Sequence, residues 1–217
     1  MTKTAIILGA TGLTGGYLLD MLLKDASYSK VKLFSRSSVS VNHPKLKEYL
    51  GDLLKLTDQK LSFTGHVVFC CIGTTKAKTK DQAMYRAIDY GIPLAAAELS
   101  LENGIDCFLV ISAMGASETS NVFYNKTKGE MERDVLEKNI PNTYILRPSL
   151  IGGDRKESRP GERIAQILMR FFGFLVPKKY KIIHPKTIAR AMLILANTHP
   201  DMTVIESNQI KEITTDG

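Results

Sequence analysis

Ala5-Ile6-Ile7-Leu8-Gly9-Ala10-Thr11-Gly12-Leu13-Thr14-Gly15 is the stretch whose reading decides the fold. Its four leading apolar residues read as a short strand buried on both faces. The glycines read as a turn. The residues that follow, with Leu18, Leu19, Leu22 and Leu23 on one side, read as a helix from Leu13 to Lys24. A glycine pattern alone is weak, but strand, turn and helix in this order form a cradle for a diphosphate. Glycines let the main chain approach the phosphates, and the helix start offers free N–H groups and a partial positive charge. On this reading Gly9, Thr11, Gly12, Leu13, Thr14 and Gly15 form a cofactor loop; the plain alternative is a tight turn.

Working outward, Val31 to Ser35 reads as a second strand and Lys47 to Leu50 as a short third one. His66 to Ile72 is apolar at nearly every position, the pattern of a strand covered on both faces. Cys107 to Ser112 and Thr143 to Leu146 supply a fifth and a sixth. Helical patterns intervene from about Asp81 to Asn103, interrupted near Gly91 and Pro93, and from Asn121 to Lys138. Two more lie near Gly161 to Phe172 and Pro185 to Asn197. Strands alternating with helices predict an α/β fold, a Rossmann-type doubly wound parallel sheet with right-handed crossovers. No repeat, low-complexity tract or linker divides the 217 residues, which read as a single nucleotide-binding domain with 152–217 contributing a small C-terminal substrate lobe.

With 44% hydrophobic and 24% charged residues the composition is that of a folded globular chain, not a disordered one. The first apolar run is too short for a signal peptide, and none reaches the roughly 18 to 20 residues of a membrane span, so a cytoplasmic location is expected. Cys70, Cys71 and Cys107 are odd in number, and His43, His66, His184 and His199 are scattered. Neither a disulfide framework nor metal-ligand spacing follows. The net charge of +7 is concentrated: from Arg155 to Lys181 eight basic residues face two acids. That segment is a candidate for contact with an anionic substrate, a membrane surface or an acidic protein, with a solvated loop as the plain reading. Nucleic-acid binding is disfavoured, because a basic cluster without interleaved reading elements supplies only electrostatic potential.

The end of the second strand selects the cofactor. An NAD enzyme usually places a carboxylate there for the ribose 2′-hydroxyl, whereas this chain has Ser35-Arg36-Ser37. An arginine forks onto a 2′-phosphate and hydroxyls donate to it, so NADP(H) is preferred over NAD(H); a solvated surface arginine is the bland account. Asp52-Leu53 follows the third strand, where a carboxylate accepts from an adenine amino group or simply caps a turn. Gly73 and Thr74 leave the fourth strand on the side where ligands bind such sheets.

Tyr124 and Lys128 are four apart on a helix and share a face. A tyrosine titrates near pH 10, and a cation roughly 4 Å away at an effective dielectric of about 20 supplies about 4 kcal/mol, or about three pKa units, toward a usable acid or base. Ser112, twelve residues earlier at a strand end, is placed to hydrogen-bond a carbonyl. With Gly9 to Gly15, Ser112, Tyr124 and Lys128, and Arg147-Pro148, the chain resembles the short-chain dehydrogenase/reductase superfamily, specifically its atypical members. Asp154 to Glu162 looks like the corresponding stretch of the Tat-interacting-protein branch and its bacterial homologues. The resemblance implies that Tyr124 protonates a carbonyl oxygen during hydride delivery from NADPH. It implies that Lys128 tunes that phenol and holds the nicotinamide ribose, that Ser112 positions the substrate, and that Pro148 and its successors line the nicotinamide pocket. Ser149 stands where many members have glycine, and no signature asparagine precedes the serine. Two functions remain open: a reductase or dehydrogenase of a small carbonyl or alcohol, and an NADPH-binding sensor or interaction protein with little or no catalysis.

Overall fold

The structure, a computed structural model, describes residues 2–152 and 181–215. Its strands are β1 (Lys3–Leu8), β2 (Tyr28–Ser35), β3 (Leu46–Leu50), β4 (Val67–Cys70), β5 (Cys107–Ile111), β6 (Asn142–Arg147) and β7 (Val204–Glu206). They form one parallel sheet in the order β3-β2-β1-β4-β5-β6-β7. The helices are α1 (Leu13–Lys24), α2 (Gln82–Arg86), α3 (Ile92–Glu102), α4 (Phe123–Leu136), α5 (Pro185–Thr198) and α6 (Ser207–Thr215). This is the doubly wound Rossmann-type architecture that the alternating pattern implied.

The uninterrupted apolar runs arise because successive strand residues enter opposite cores. Ala5, Ile7, Val67, Phe69, Leu109 and Leu146 pack on one face with Leu18, Leu22, Ile188 and Met192 of α1 and α5. Ile6, Leu8, Val68, Phe108, Val110 and Ile145 pack on the other, against Ala96 and Leu99 of α3 and Met131 and Val135 of α4. Each face therefore demands apolar residues, and the sheet centre has no polar side to show in the sequence.

The long helix expected over 81–103 is three pieces. Between α2 and α3 lies one π-helical turn, Ala87–Gly91. Pro93 has no N–H to return to the preceding turn, and the chain widens there instead of ending. Leu53–Ser62 forms a kinked 3-10 helix that the sequence did not signal. β7 and α6 were also not anticipated. They return the chain to the sheet, with β7 beside β6 and α5 packed against α1, so residues 185–206 are built into the main body. The helix expected near 161–172, and all of the basic segment except Lys181, lie outside the described residues. No helix among the described residues is long and apolar enough to cross a membrane.

Candidate functional site

Leu8 ends β1 and the chain turns through Gly9 at φ +87°. A Cβ there would lie 2.7 Å from the Cys71 carbonyl oxygen, and one on Gly15 would overlap the Gly9 carbonyl, so both positions admit only glycine. The Gly12 N–H closes the turn on the Gly9 oxygen at 3.0 Å. Gly12 then begins α1 without a side-chain cap, and no acid occupies the first turn. The helix thus presents uncapped N–H donors and its positive end to a cavity of about 830 Å³. Thr11, Gly12, Leu13 and Thr14 line one side of it; Cys71, Ile72, Gly73 and Thr74, beyond β4, line another. An open, uncapped helix start beneath a glycine turn is a donor set that fits a diphosphate.

The remaining anticipated cofactor residues divide. Ser35 is buried and its hydroxyl donates to the Ser37 carbonyl at 2.8 Å, which folds the turn beyond β2. Arg36 and Ser37 are exposed at the same carboxyl end of the sheet, one strand from Gly9, and Arg36 makes no ion pair among the described residues. Asp52 caps the 3-10 helix by accepting the Leu54 N–H at 3.0 Å. Leu53 is buried against Phe34 and Phe63 in the core. None of these lines the large cavity. Pro148 is likewise buried behind it, its carbonyl accepting the Met114 N–H at 3.0 Å, and Ile151 forms the wall instead. Ser149 donates to the Lys181 carbonyl at 2.6 Å and accepts from Ser207 at 3.0 Å. Arg147 binds Glu132 of α4 and, at 3.3 Å, Glu206 of β7. This motif ties α4, β6 and β7 together.

Ser112, Tyr124 and Lys128 all meet the same cavity as the glycine loop. The Ser112 Oγ is buried and has no hydrogen-bond partner among the described residues, leaving a donor and an acceptor at the cavity wall. Tyr124 is half-buried in the first turn of α4, with the Tyr85 ring edge-on at 6.4 Å. Lys128, one turn later, is 3% exposed; its Nζ lies 3.1 Å from Asp89 Oδ1 and donates to the Ile111 carbonyl at 3.3 Å. The other oxygen of Asp89 accepts the Thr74 N–H at 2.7 Å. Asp89, carried on the π-helical turn, thus joins the lysine to the loop beyond β4. Sequence reasoning missed it, although a lone acid in Ala87-Ile88-Asp89-Tyr90 is a weak signal of a buried partner. The ammonium is therefore not the isolated cation that the Tyr124/Lys128 spacing suggests, because a carboxylate offsets it. Burial works against the charge on Lys128, but Asp89, and secondarily Tyr124, outweigh burial and raise its pKa above the usual lysine value.

The position of α4 is set by Gly129, next to Lys128. A Cβ there would overlap the main chain at Ser117–Glu118, so the helix rests directly on the segment that follows Ser112. Burial raises the Cys70 thiol to about 11 and the Cys107 thiol to about 12. Among the described residues no cluster of three His, Cys, Asp or Glu side chains could hold a metal ion.

The NAD(P)H-binding family matches residues 9–159. Protein HTATIP2 of Rattus norvegicus is 35% identical over 198 residues, covering 88% of this chain and 80% of the rat protein. The mitochondrial protein fmp52 of Aspergillus clavatus is 33% identical over 180 residues, covering 80% and 76%. Among solved structures, the Bordetella bronchiseptica enzyme WbmH in complex with NAD+ superposes with a TM-score of 0.74 at 14% identity, covering 95% of this chain and 76% of WbmH. That likeness is one of fold.

Proposed function

The chain belongs to the NAD(P)H-binding family, in the atypical short-chain dehydrogenase/reductase branch that holds HTATIP2 and FMP52, and from this premise we propose that it is an NADP(H)-dependent oxidoreductase of a small carbonyl or alcohol. The observation that carries the reading is one cavity shared by the glycine loop, Tyr124, Lys128 and the hydroxyl of Ser112, which has no hydrogen-bond partner among the described residues. The loop residues Gly9 to Gly15, with Gly73 and Thr74, hold the dinucleotide, and Arg36 with Ser37 meets the 2′-phosphate of NADP(H) on the turn that the buried Ser35 hydroxyl folds. Asp52, Leu53 and Pro148 act from behind the cavity wall, by shaping the turn after β3 and the segment after Ser112. Bound NADPH supplies the hydride. Tyr124 gives its phenolic proton to the carbonyl oxygen, and Ser112 donates a hydrogen bond to that oxygen, satisfying its own buried hydroxyl. An ammonium has three donors; Asp89 and Ile111 take two of those on Lys128, which leaves one for a ribose hydroxyl. Residues 1–217 act as one domain in this proposal, with 152–217 shaping the substrate side, and the activity is cytoplasmic, although the FMP52 relatives are named mitochondrial.

Titration with NADPH and NADH by nucleotide fluorescence, followed by a panel of carbonyl compounds, tests the reading. Tyr124→Phe lowers turnover about 100-fold or more, the usual contribution of a positioned acid, and leaves NADPH affinity within about threefold. A parent protein that binds NADPH but reduces no carbonyl points instead to a nucleotide-binding sensor, and a Tyr124→Phe variant that reduces carbonyls like the parent removes the role given to Tyr124. Arg36→Glu weakens NADPH by about 10- to 100-fold, the worth of a charge-assisted contact, and NADH far less. Equal parent affinity for both nucleotides removes the role given to Arg36.

A further inference from the structure

Beside the large cavity lies a second one of about 520 Å³. The two share Thr75, Ala77 and Tyr124, so the phenol stands where they meet. Its character differs from that of its neighbour. One side is aromatic: Tyr85 meets Phe123 edge to face at 5.7 Å and Tyr124 at 6.4 Å. Val122 and Phe123 remain 57% and 37% exposed there, large apolar groups that the described residues leave uncovered. The other side is the loop beyond β4, which brings in Lys76 and Lys80. Both are exposed, and neither makes an ion pair or a side-chain hydrogen bond among the described residues. The nearest acid in sequence, Asp81, has an oxygen accepting the Met84 N–H at 2.7 Å as the cap of α2. The mouth therefore combines an apolar aromatic wall with a net positive charge.

We propose that this second cavity is the substrate pocket, and that it takes an organic anion: a carbonyl compound whose apolar body packs between Phe123 and Tyr85 and whose carboxylate is met by Lys76 and Lys80. The proposal rests on the oxidoreductase reading for the chemistry. The hydride from NADPH forms the new C–H bond at the carbonyl carbon, the Tyr124 proton goes to the oxygen, and the products are the hydroxy acid and NADP+. It does not rest on the basic segment from Arg155 to Lys181. The lysines act through charge and the rings through area, so the two contributions separate by experiment.

The probes are naphthalene-2-carboxylate and its neutral counterpart naphthalene-2-methanol, with binding to the full chain read by calorimetry and by saturation-transfer NMR. The carboxylate binds about tenfold more tightly, as two partly screened lysine contacts would give. Lys76→Ala/Lys80→Ala brings the two probes together, Phe123→Ala weakens both by a similar factor, and an unchanged circular dichroism spectrum shows that each variant folds. Equal binding of acid and alcohol by the parent overturns the proposal, and so does a preference that survives loss of both lysines. Turnover of 6-formylnaphthalene-2-carboxylate separates the two readings. Lysine-dependent binding without reduction keeps the pocket and sinks the oxidoreductase, whereas reduction of neutral and acidic aldehydes alike does the reverse.

Discussion

Replacing Asp89 by asparagine keeps the side chain's volume and leaves an amide oxygen to accept the Thr74 N–H, but removes the charge facing Lys128. The two side chains are 1% and 3% exposed and 3.1 Å apart, so little water reaches the pair to take the place of the lost carboxylate. Breaking a buried pair in this way strands an uncompensated charge and costs about 3–5 kcal/mol. With a urea m-value of about 2 kcal/mol/M for a chain of this size, the denaturation midpoint falls by about 2 M. Adding Lys128→Met restores most of the loss, because the stranded ammonium disappears with its partner. The alkaline limb provides a second reading. The folded pKa of Lys128 is raised, so its contribution is fully present below the unfolded value of 10.5 and is lost as pH rises through the folded one. Parent stability therefore falls more steeply above about pH 10.5 than that of Asp89→Asn/Lys128→Met. A loss below about 1 kcal/mol in urea titrations of Asp89→Asn, or no recovery in the double variant, would refute the argument.

Two further outcomes follow from the geometry. Gly15→Ala drives a methyl group into the Gly9 carbonyl and lowers NADPH affinity about 100-fold or more, the scale set by displacing a positioned contact by about 1 Å. Gly16→Ala, whose new atom would meet the Ala10 oxygen at an ordinary 3.5 Å, stays folded with little change in Tm; the contrast is read by fluorescence titration and thermal melts. Burial holds Cys70 near 11 and Cys107 near 12, so at pH 8 both react with an aromatic disulfide reagent far more slowly in the native protein than in guanidinium, and fast native labelling of either would contradict their placement.

The dinucleotide cradle was legible because its physics is local: a strand, a glycine that must adopt positive φ, and a helix start lie within a few residues. The central strands were legible because a sheet covered on both faces leaves no polar alternation. Asp89 was not, since its partner is 39 positions away and only a widened helical turn aims it there. β7 is three residues long, too short to carry any period. Asp52-Leu53 read either as an adenine contact or as a turn; the structure gives the aspartate a cap to make and the leucine a place in the core, and a turn acid looks the same in sequence for either purpose. Arg147 belonged to a recognised motif, yet what it touches are two glutamates on other elements, and sequence spacing carries no sign of them.

The contact beneath Gly129 separates two properties that usually vary together. Side chains in a core yield by rotating, but two stretches of main chain pressed against each other do not. Because α4 is seated on residues 117–118 in that rigid way, trimming the apolar layer around Met131 or Val135 would loosen the protein without altering how far the phenol stands from the serine hydroxyl. The placement of Tyr124 relative to Ser112 is in this sense insulated from the ordinary drift of interior residues.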